Sequence, residues 1–95
     1  MSALGNEWLR RAVLDLLNDI GGEHNHAEIA HLLNELGQAV AHRDVAEAMA
    51  WLGDKKLVIC QTLGRFEVAR ILEDGRDVAT DRLIVAGVSK FRTSE

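Results

Sequence analysis

The stretch from residue 25 to residue 72 constrains the fold more than any other part of the chain. Two short segments come first, each with apolar residues at three- and four-residue steps, and Gly37 separates them. Such spacing places the apolar side chains on one face of a helix. Two segments rich in β-branched and aliphatic residues follow, with Gly64 between them. The order predicts two helices joined by a tight turn and then a β-hairpin.

Helices are predicted over three segments of the first half of the chain: residues 7–20, 26–36 and 43–53. Asn6, Asn25 and His42 stand at the predicted N-caps, and Gly21 and Gly37 follow the first two helices where glycine commonly ends them. Asn25 is also followed by an acid three residues on, as in a capping box. The predicted buried faces are aliphatic: Leu9, Ala12, Val13, Leu16, Leu17 and Ile20, then Ile29, Leu32, Leu33 and Leu36, then Val45, Ala48, Met49 and Leu52. Arg11 and Asp15 lie off this stripe and are predicted to form a surface pair.

The second half predicts a hairpin, a short helix and a tail. Strands are expected over residues 57–60 and 66–71, and the hairpin is expected to pack on the helices through Leu57, Ile59, Phe66 and Val68. A fourth helix is predicted over residues 73–82, although Gly75 weakens it. Residues 1–82 are therefore predicted to form one domain. Residues 83–95 form a tail that is partly packed or flexible, with a frayed end.

Length and composition limit the cellular setting. At 95 residues the chain has room for one domain and one small core. No apolar stretch approaches the roughly 18 residues of a membrane span, and the first residues lack the pattern of a signal peptide. The single Cys60 cannot form an internal disulfide. These features predict a cytoplasmic protein without a membrane partner.

No pattern of catalysis or of metal binding is present. The chain lacks a Gly-x-Ser-x-Gly elbow, a phosphate-binding loop and a dinucleotide fingerprint. Several residues invite a metal interpretation: His24, His26, His31, His42 and Cys60. They lack the Cys-x-x-Cys and His-x-x-x-His spacings of ligand pairs, and Cys60 is expected to be a buried strand residue. The sequence therefore predicts no enzyme, no cofactor and no metal site.

The residues from His42 to Val58 resemble a known class of regulators. Three runs of residues resemble the recognition helix and following strand of small winged-helix regulators of the ArsR/MarR type: His42-Arg43-Asp44-Val45, Ala48 to Leu52 and Lys56-Leu57-Val58. The ending at residues 77–88 is similar to small winged-helix proteins encoded in Mu-like prophages. The resemblance implies an α+β winged helix-turn-helix fold with a three-helix core, a two-stranded wing hairpin and a short C-terminal helix.

The resemblance also implies a function and a set of contacts. It implies a transcriptional regulator, of phage origin if the prophage likeness holds, that binds double-stranded DNA. The recognition helix is residues 43–53 and the wing is residues 62–67. Carried over by position, the residues at DNA are Gln38, Arg43, Glu47 and Ala50 in the groove, and Lys55, Lys56, Arg65 and Arg70 at phosphates. A homodimer is expected, because one short helix buries little surface, with the first helix and residues 83–85 as its interface.

The charge distribution keeps a second hypothesis open. The net charge is −4, and residues 57–72 form the one segment with a positive surplus. Asp44, Glu47 and Asp54 depart from a typical DNA reader, because they repel phosphates, although a carboxylate can accept a hydrogen bond from cytosine. The alternative is a winged-helix protein–protein interaction module without DNA binding. Trp51 is expected to pack on the wing or the first helix rather than to serve as a binding hot spot.

Overall fold

The chain forms one antiparallel sheet packed against helices. A computed structural model describes residues 3–90, with side chains described from Gly5 onward. This part of the chain contains α1 (Ala3–Ile20), β1 (Glu23–Asn25), α2 (His26–Glu35), α3 (His42–Asp54), β2 (Val58–Leu63), β3 (Phe66–Ile71) and α4 (Glu73–Ala79). The sheet order is β1-β3-β2, which confirms the predicted α+β class. None of these four helices combines the length and apolar character needed to cross a bilayer.

Helix α1 differs from its prediction at its N-terminal end and on its buried face, and it ends at Ile20 as predicted. Asn6 lies inside the helix and is not its N-cap, because the helix already includes Ala3. Ile20, predicted to be buried, is exposed at the helix end, whereas Leu14 is fully buried. The reason is that α1 packs against both α3 and α4, so its buried surface is wider than a single stripe. Arg11 and Asp15 form the predicted i,i+4 pair at 2.8 Å, but both residues are buried, so their predicted position at the surface is wrong.

The ends of α2 and α3 show which capping signals operate. The side-chain oxygen of Asn25 accepts a hydrogen bond from the backbone N–H of Glu28 at 2.8 Å, which confirms the predicted cap. Helix α2 ends before Leu36, which is 64% exposed rather than buried. Helix α3 begins one residue earlier than predicted, so its N-cap is Ala41 instead of His42 and no side chain caps it.

The predicted hairpin is present, and a third strand joins it. Leu63 pairs with Phe66 across the two-residue turn. Gly64 has φ 61° while Arg65 has no positive φ, a combination typical of a type II′ turn with glycine in first position. Strand β1, which the sequence did not indicate, pairs with β3 on its other side. The sheet is therefore three-stranded rather than two-stranded.

The register of β2 and β3 decides which side chains reach the core. Val58 pairs with Ile71, and both are buried on the face that meets the helices. Ile59 pairs with Arg70 on the opposite face and is 50% exposed. The predicted packing of the hairpin through Ile59 is therefore wrong, because side chains alternate between the two faces of a strand. Phe66 shares the outer face and is half-buried.

Helix α4 is shorter than predicted and leads into a segment that returns across α1. It ends at Ala79, and Gly75 is buried where an added methyl group would overlap the carbonyl oxygen of Leu57. Within the predicted tail, Val88 is buried in the core, whereas Leu83 and Ile84 at its start are exposed. The predicted frayed end, residues 91–95, lies outside the described residues.

Candidate nucleic-acid interface

One face of α3 is open along its whole length. Arg43, Glu47, Ala50 and Asp54 are exposed at successive turns. The opposite face is buried in the core through Val45, Ala48, Met49 and Leu52. The hydrophobic periodicity of the helix thus leaves a polar ridge free for contact with another molecule.

The tip and outer face of the hairpin carry two exposed arginines. Arg65 occupies the second position of the turn and is exposed, with its guanidinium carbon 5.6 Å from the ring centre of Phe66. Arg70 is exposed on the outer face of the sheet, opposite Ile59. Neither arginine forms an ion pair with another described residue, so both charges are available to a ligand.

A row of rings connects the hairpin tip with the start of α3. The ring centres of Phe66 and His26 are 5.9 Å apart, and those of His26 and His42 are 6.4 Å apart with an edge-on geometry. His26 also accepts a hydrogen bond at Nδ1 from the backbone N–H of Glu67 at 3.1 Å. The two histidines thus link the hairpin to the start of α3 through ring contacts and one hydrogen bond.

Two lysines follow the last turn of α3. The N–H of Lys56 donates to the carbonyl of Gly53 at 3.0 Å, and the N–H of Leu57 donates to the carbonyl of Leu52 at 3.0 Å. This pair of bonds defines a Schellman motif, in which the residue after the cap is left-handed and usually glycine. Lys56 occupies that position with φ 62°. A side chain there costs free energy that glycine avoids.

The two other helix ends with this motif show how unusual Lys56 is. Helix α2 ends in the same bonds with Gly37 in the left-handed position. Helix α4 ends in them with Asp81, φ 64°, whose carboxylate accepts a hydrogen bond from Arg11 at 3.1 Å. The ion pair offsets the strain at Asp81. Lys56 is exposed and forms no ion pair with any described residue, so the compensation seen at Asp81 is not present there.

Trp51 joins α3 to α1 and to the C-terminal segment. The guanidinium of Arg10 lies 4.0 Å from the centre of the Trp51 ring, and the ammonium of Lys55 lies 5.4 Å from it. Gly87 packs so closely on the ring that a methyl group at this position would overlap it. Trp51 therefore packs against the first helix, as expected. Its ring also lies beside the ammonium group of Lys55.

The remaining predicted contacts are less favourable for DNA. Gln38 lies in the link between α2 and α3, where it is half-buried and its amide oxygen is covered. Asp44 and Glu47 line a cleft of about 230 Å³ between α1 and α3. The open ridge of α3 thus combines one arginine with carboxylates, and its basic groups are concentrated at the two ends.

The environment of Cys60 disfavours its thiolate, the form of cysteine that binds metals. Burial, together with a hydrogen bond and charge from Glu67, raises the pKa of the Cys60 thiol to about 11. No three His, Cys, Asp or Glu side chains among residues described by the structure converge as metal ligands do.

The candidate interface is defined by the positions of side chains in this chain alone, without support from a related protein. No protein-family model, curated protein or solved structure matches the chain. Among the predicted contact residues, Arg43 and Glu47 share the ridge of α3, Lys55 and Lys56 follow its end, and Arg65 lies at the hairpin tip.

Proposed function

We propose that this chain is a winged-helix protein that binds double-stranded DNA, with α3 as the recognition helix and the β2–β3 hairpin as the wing. The observation that carries the proposal is the open polar ridge of α3. Exposed lysines follow its end, and the hairpin lies next to its start. An α-helix presented in this way fits the major groove of B-DNA. A transcriptional regulator is the role that such an arrangement serves.

Two residues on the ridge have the chemistry to read bases. Arg43 can donate two hydrogen bonds to guanine, and Glu47 can accept one from the amino group of cytosine. They are four residues apart and therefore lie about 6 Å from each other on one face of the helix. The proposal assigns them to neighbouring base pairs, which favours sites rich in G·C.

In this proposal, lysine and arginine side chains around the ridge and on the hairpin supply the phosphate contacts. Four of them are available: Lys55, Lys56, Arg65 and Arg70. Each phosphate contact releases bound cations, so four contacts give a slope of about −4 in a plot of log affinity against log salt concentration. The carboxylates of the ridge oppose this attraction. The expected affinity is therefore low for one copy and depends strongly on salt.

The proposal is tested by fluorescence anisotropy of a labelled duplex at several salt concentrations. We expect Arg65→Ala to weaken binding and to reduce the magnitude of the salt slope by about 1. Arg82→Ala serves as a control, because it removes an equally exposed charge outside α3 and the hairpin. Absence of binding by the unaltered protein at low salt, or equal effects of the two variants, would contradict DNA binding.

The acidic side of α3 supports a second candidate, a protein–protein interaction module. Asp44 and Glu47 border a cleft whose other walls include Leu9, Arg10 and Trp51, and its two carboxylates against one guanidinium suit a basic side chain of a partner. Glu47→Gln separates the two candidates. On a duplex without G·C pairs, where Glu47 has no cytosine to contact, it strengthens binding if α3 approaches phosphates, because it removes a repulsive charge, whereas an interaction module binds no duplex with either residue.

A further inference from the structure

Strand β2 is a long edge strand whose outer backbone groups have no partner. Leu63 and Phe66 flank a two-residue turn, so they form a hydrogen-bonded pair. Such pairs alternate along an antiparallel ladder, and Val58, Cys60 and Thr62 therefore direct their N–H and C=O groups away from β3. No other described backbone group bonds to them. The open edge runs the full six residues of the strand.

The opposite edge of the sheet, formed by β1, is short and partly blocked. Strand β1 covers β3 for three residues. Next to β1, the N–H of Glu67 donates a hydrogen bond to His26 Nδ1. This N–H points away from β2, as the alternation of backbone groups along β3 requires. Glu23 adds a charge to this edge. Short length, a charge and a covering side chain are the means by which natural sheets prevent further strands from pairing.

Strand β2 has none of these protections. Its sequence, Val-Ile-Cys-Gln-Thr-Leu, contains no charge and no proline, and Ile59 and Leu63 are each about half exposed on the outer face. Helix α3 presents Ala50, Gly53 and Asp54 to a depression of about 420 Å³ beside the first half of the strand, and Lys56 also lines this depression. The two small residues, Ala50 and Gly53, leave space beside the edge for a further strand.

We propose that β2 pairs with β2 of a second copy of this chain, antiparallel and about a two-fold axis at Gln61. This register brings Cys60 of each copy opposite Thr62 of the other, and both residues direct their backbone groups outward. The two pairs exchange about four hydrogen bonds. On the outer face, Ile59 meets Leu63 of the second copy. The two half-exposed apolar side chains thus cover each other, and no like charges within the strands oppose the pairing.

The choice of a second copy follows from the symmetry of the strand. With a two-fold axis at Gln61, the unpaired N–H and C=O groups of Cys60 in one copy face those of Thr62 in the other. The same axis places Ile59 beside Leu63 of the second copy on the outer face. The result is a continuous six-stranded sheet. This inference does not depend on DNA binding, and it differs from the sequence-based expectation of a dimer through α1 and residues 83–85.

Sedimentation equilibrium across a wide range of protein concentration tests the pairing. We expect the mass to rise from 10.5 kDa toward twice that value. Gln61→Lys and Gln61→Glu each place like charges directly across the axis, which should raise the dissociation constant by up to about fivefold. A mixture of the two variants should restore association at least to the level of the unaltered chain.

Restoration by mixing is specific to this register, because it requires residue 61 of one copy to face residue 61 of the other. Ile84→Ser serves as the control, since Ile84 is exposed on the alternative dimer surface, and it should leave association unchanged. The proposal is overturned if the unaltered chain stays monomeric, if the Gln61 variants associate normally, or if Ile84→Ser abolishes association.

Discussion

At the scale of single residues, Lys56 connects stability with the proposed binding function. Its left-handed backbone is imposed by the Schellman bonds at the end of α3, and the corresponding residue after α2 is glycine. Strain of this kind is commonly retained where a side chain serves a ligand. The exposed ammonium of Lys56, beside the open ridge of α3, fits a phosphate contact.

Lys56→Gly should stabilise the protein and weaken DNA binding. Glycine adopts the left-handed conformation freely, so we expect the free energy of unfolding to rise by about 1 kcal/mol. Duplex affinity should fall because one phosphate contact is lost. Urea denaturation and anisotropy measure the two effects.

Lys56→Ala is the matched control for this prediction. It removes the same charge but keeps a side-chain carbon at the strained position, so affinity should fall as it does in Lys56→Gly without the gain in stability. If both variants bind duplex as tightly as the unaltered chain, Lys56 is not a phosphate contact. If Lys56→Gly is not more stable than Lys56→Ala, the left-handed conformation is not strained.

Cys60 should be a slow nucleophile. Its pKa of about 11 leaves the thiol protonated at pH 8, and the thiolate fraction is about a hundredfold below that of an ordinary cysteine. Iodoacetamide labelling of the folded protein, followed by mass spectrometry, should therefore be correspondingly slow. Glu67→Gln should accelerate it, because Glu67 contributes to the raised pKa. Labelling at the rate of a free thiol would contradict the proposed environment.

At the scale of secondary-structure elements, Asn25 starts α2 and ends β1 at the same time. Its side chain caps the helix through the N–H of Glu28, and its backbone pairs with Val68 of β3. We expect Asn25→Ala to lower the free energy of unfolding by about 1 kcal/mol, the usual value of an N-cap. Asn6→Ala should have almost no effect, because Asn6 is an exposed residue inside α1 and alanine favours helices. Equal losses in chemical denaturation would contradict this assignment of caps.

The elements that the sequence predicted are those with local signals. Repeated apolar spacing indicated three helices, and Gly37 and Gly64 marked the turns between elements. Strand β1 gave no such signal, because Glu-His-Asn is polar and short. It becomes a strand through its pairing with β3, more than forty residues later in the chain. Contacts of that range have no local pattern.

The candidate site was predictable to the same degree. Exposed charges at the ends of elements, such as Arg43, Lys56 and Arg65, follow from the predicted helices and turn. The row of rings could not be predicted in this way, because His26, His42 and Phe66 come from three different elements. The burial of Arg11 was also beyond prediction, since it depends on the C-terminal segment that crosses α1.

At the scale of the whole molecule, Arg11 ties the C-terminal segment to the helical core. Its guanidinium donates to Asp15 at 2.8 Å, to Asp81 at 3.1 Å and to the carbonyls of Ala79, Ser89 and Lys90. Burial by itself would lower the pKa of Arg11, but the hydrogen bonds and charges of Asp15 and Asp81 outweigh it and raise the pKa. A fully charged guanidinium thus sits in the core with only 1% of its surface exposed.

Removal of this guanidinium should be among the most destabilising single changes in the chain. Arg11→Met keeps the apolar volume but leaves Asp15, 3% exposed, as a buried charge without its cation. We expect the free energy of unfolding to fall by about 3–5 kcal/mol, as when one partner of a buried ion pair is deleted. The C-terminal segment should also lose protection in hydrogen exchange, because the carbonyls of Ser89 and Lys90 lose their donor, as does that of Ala79 at the end of α4.

The double variant Arg11→Met with Asp15→Leu distinguishes a buried charge from lost packing. Replacing both partners by apolar groups removes the uncompensated carboxylate, so most of the stability should return. Protection of residues 80–90 should stay reduced, since neither new side chain can donate to their carbonyls. If the double variant is as unstable as Arg11→Met, the loss arises from packing or from the backbone bonds, and the charge of Asp15 is not its cause.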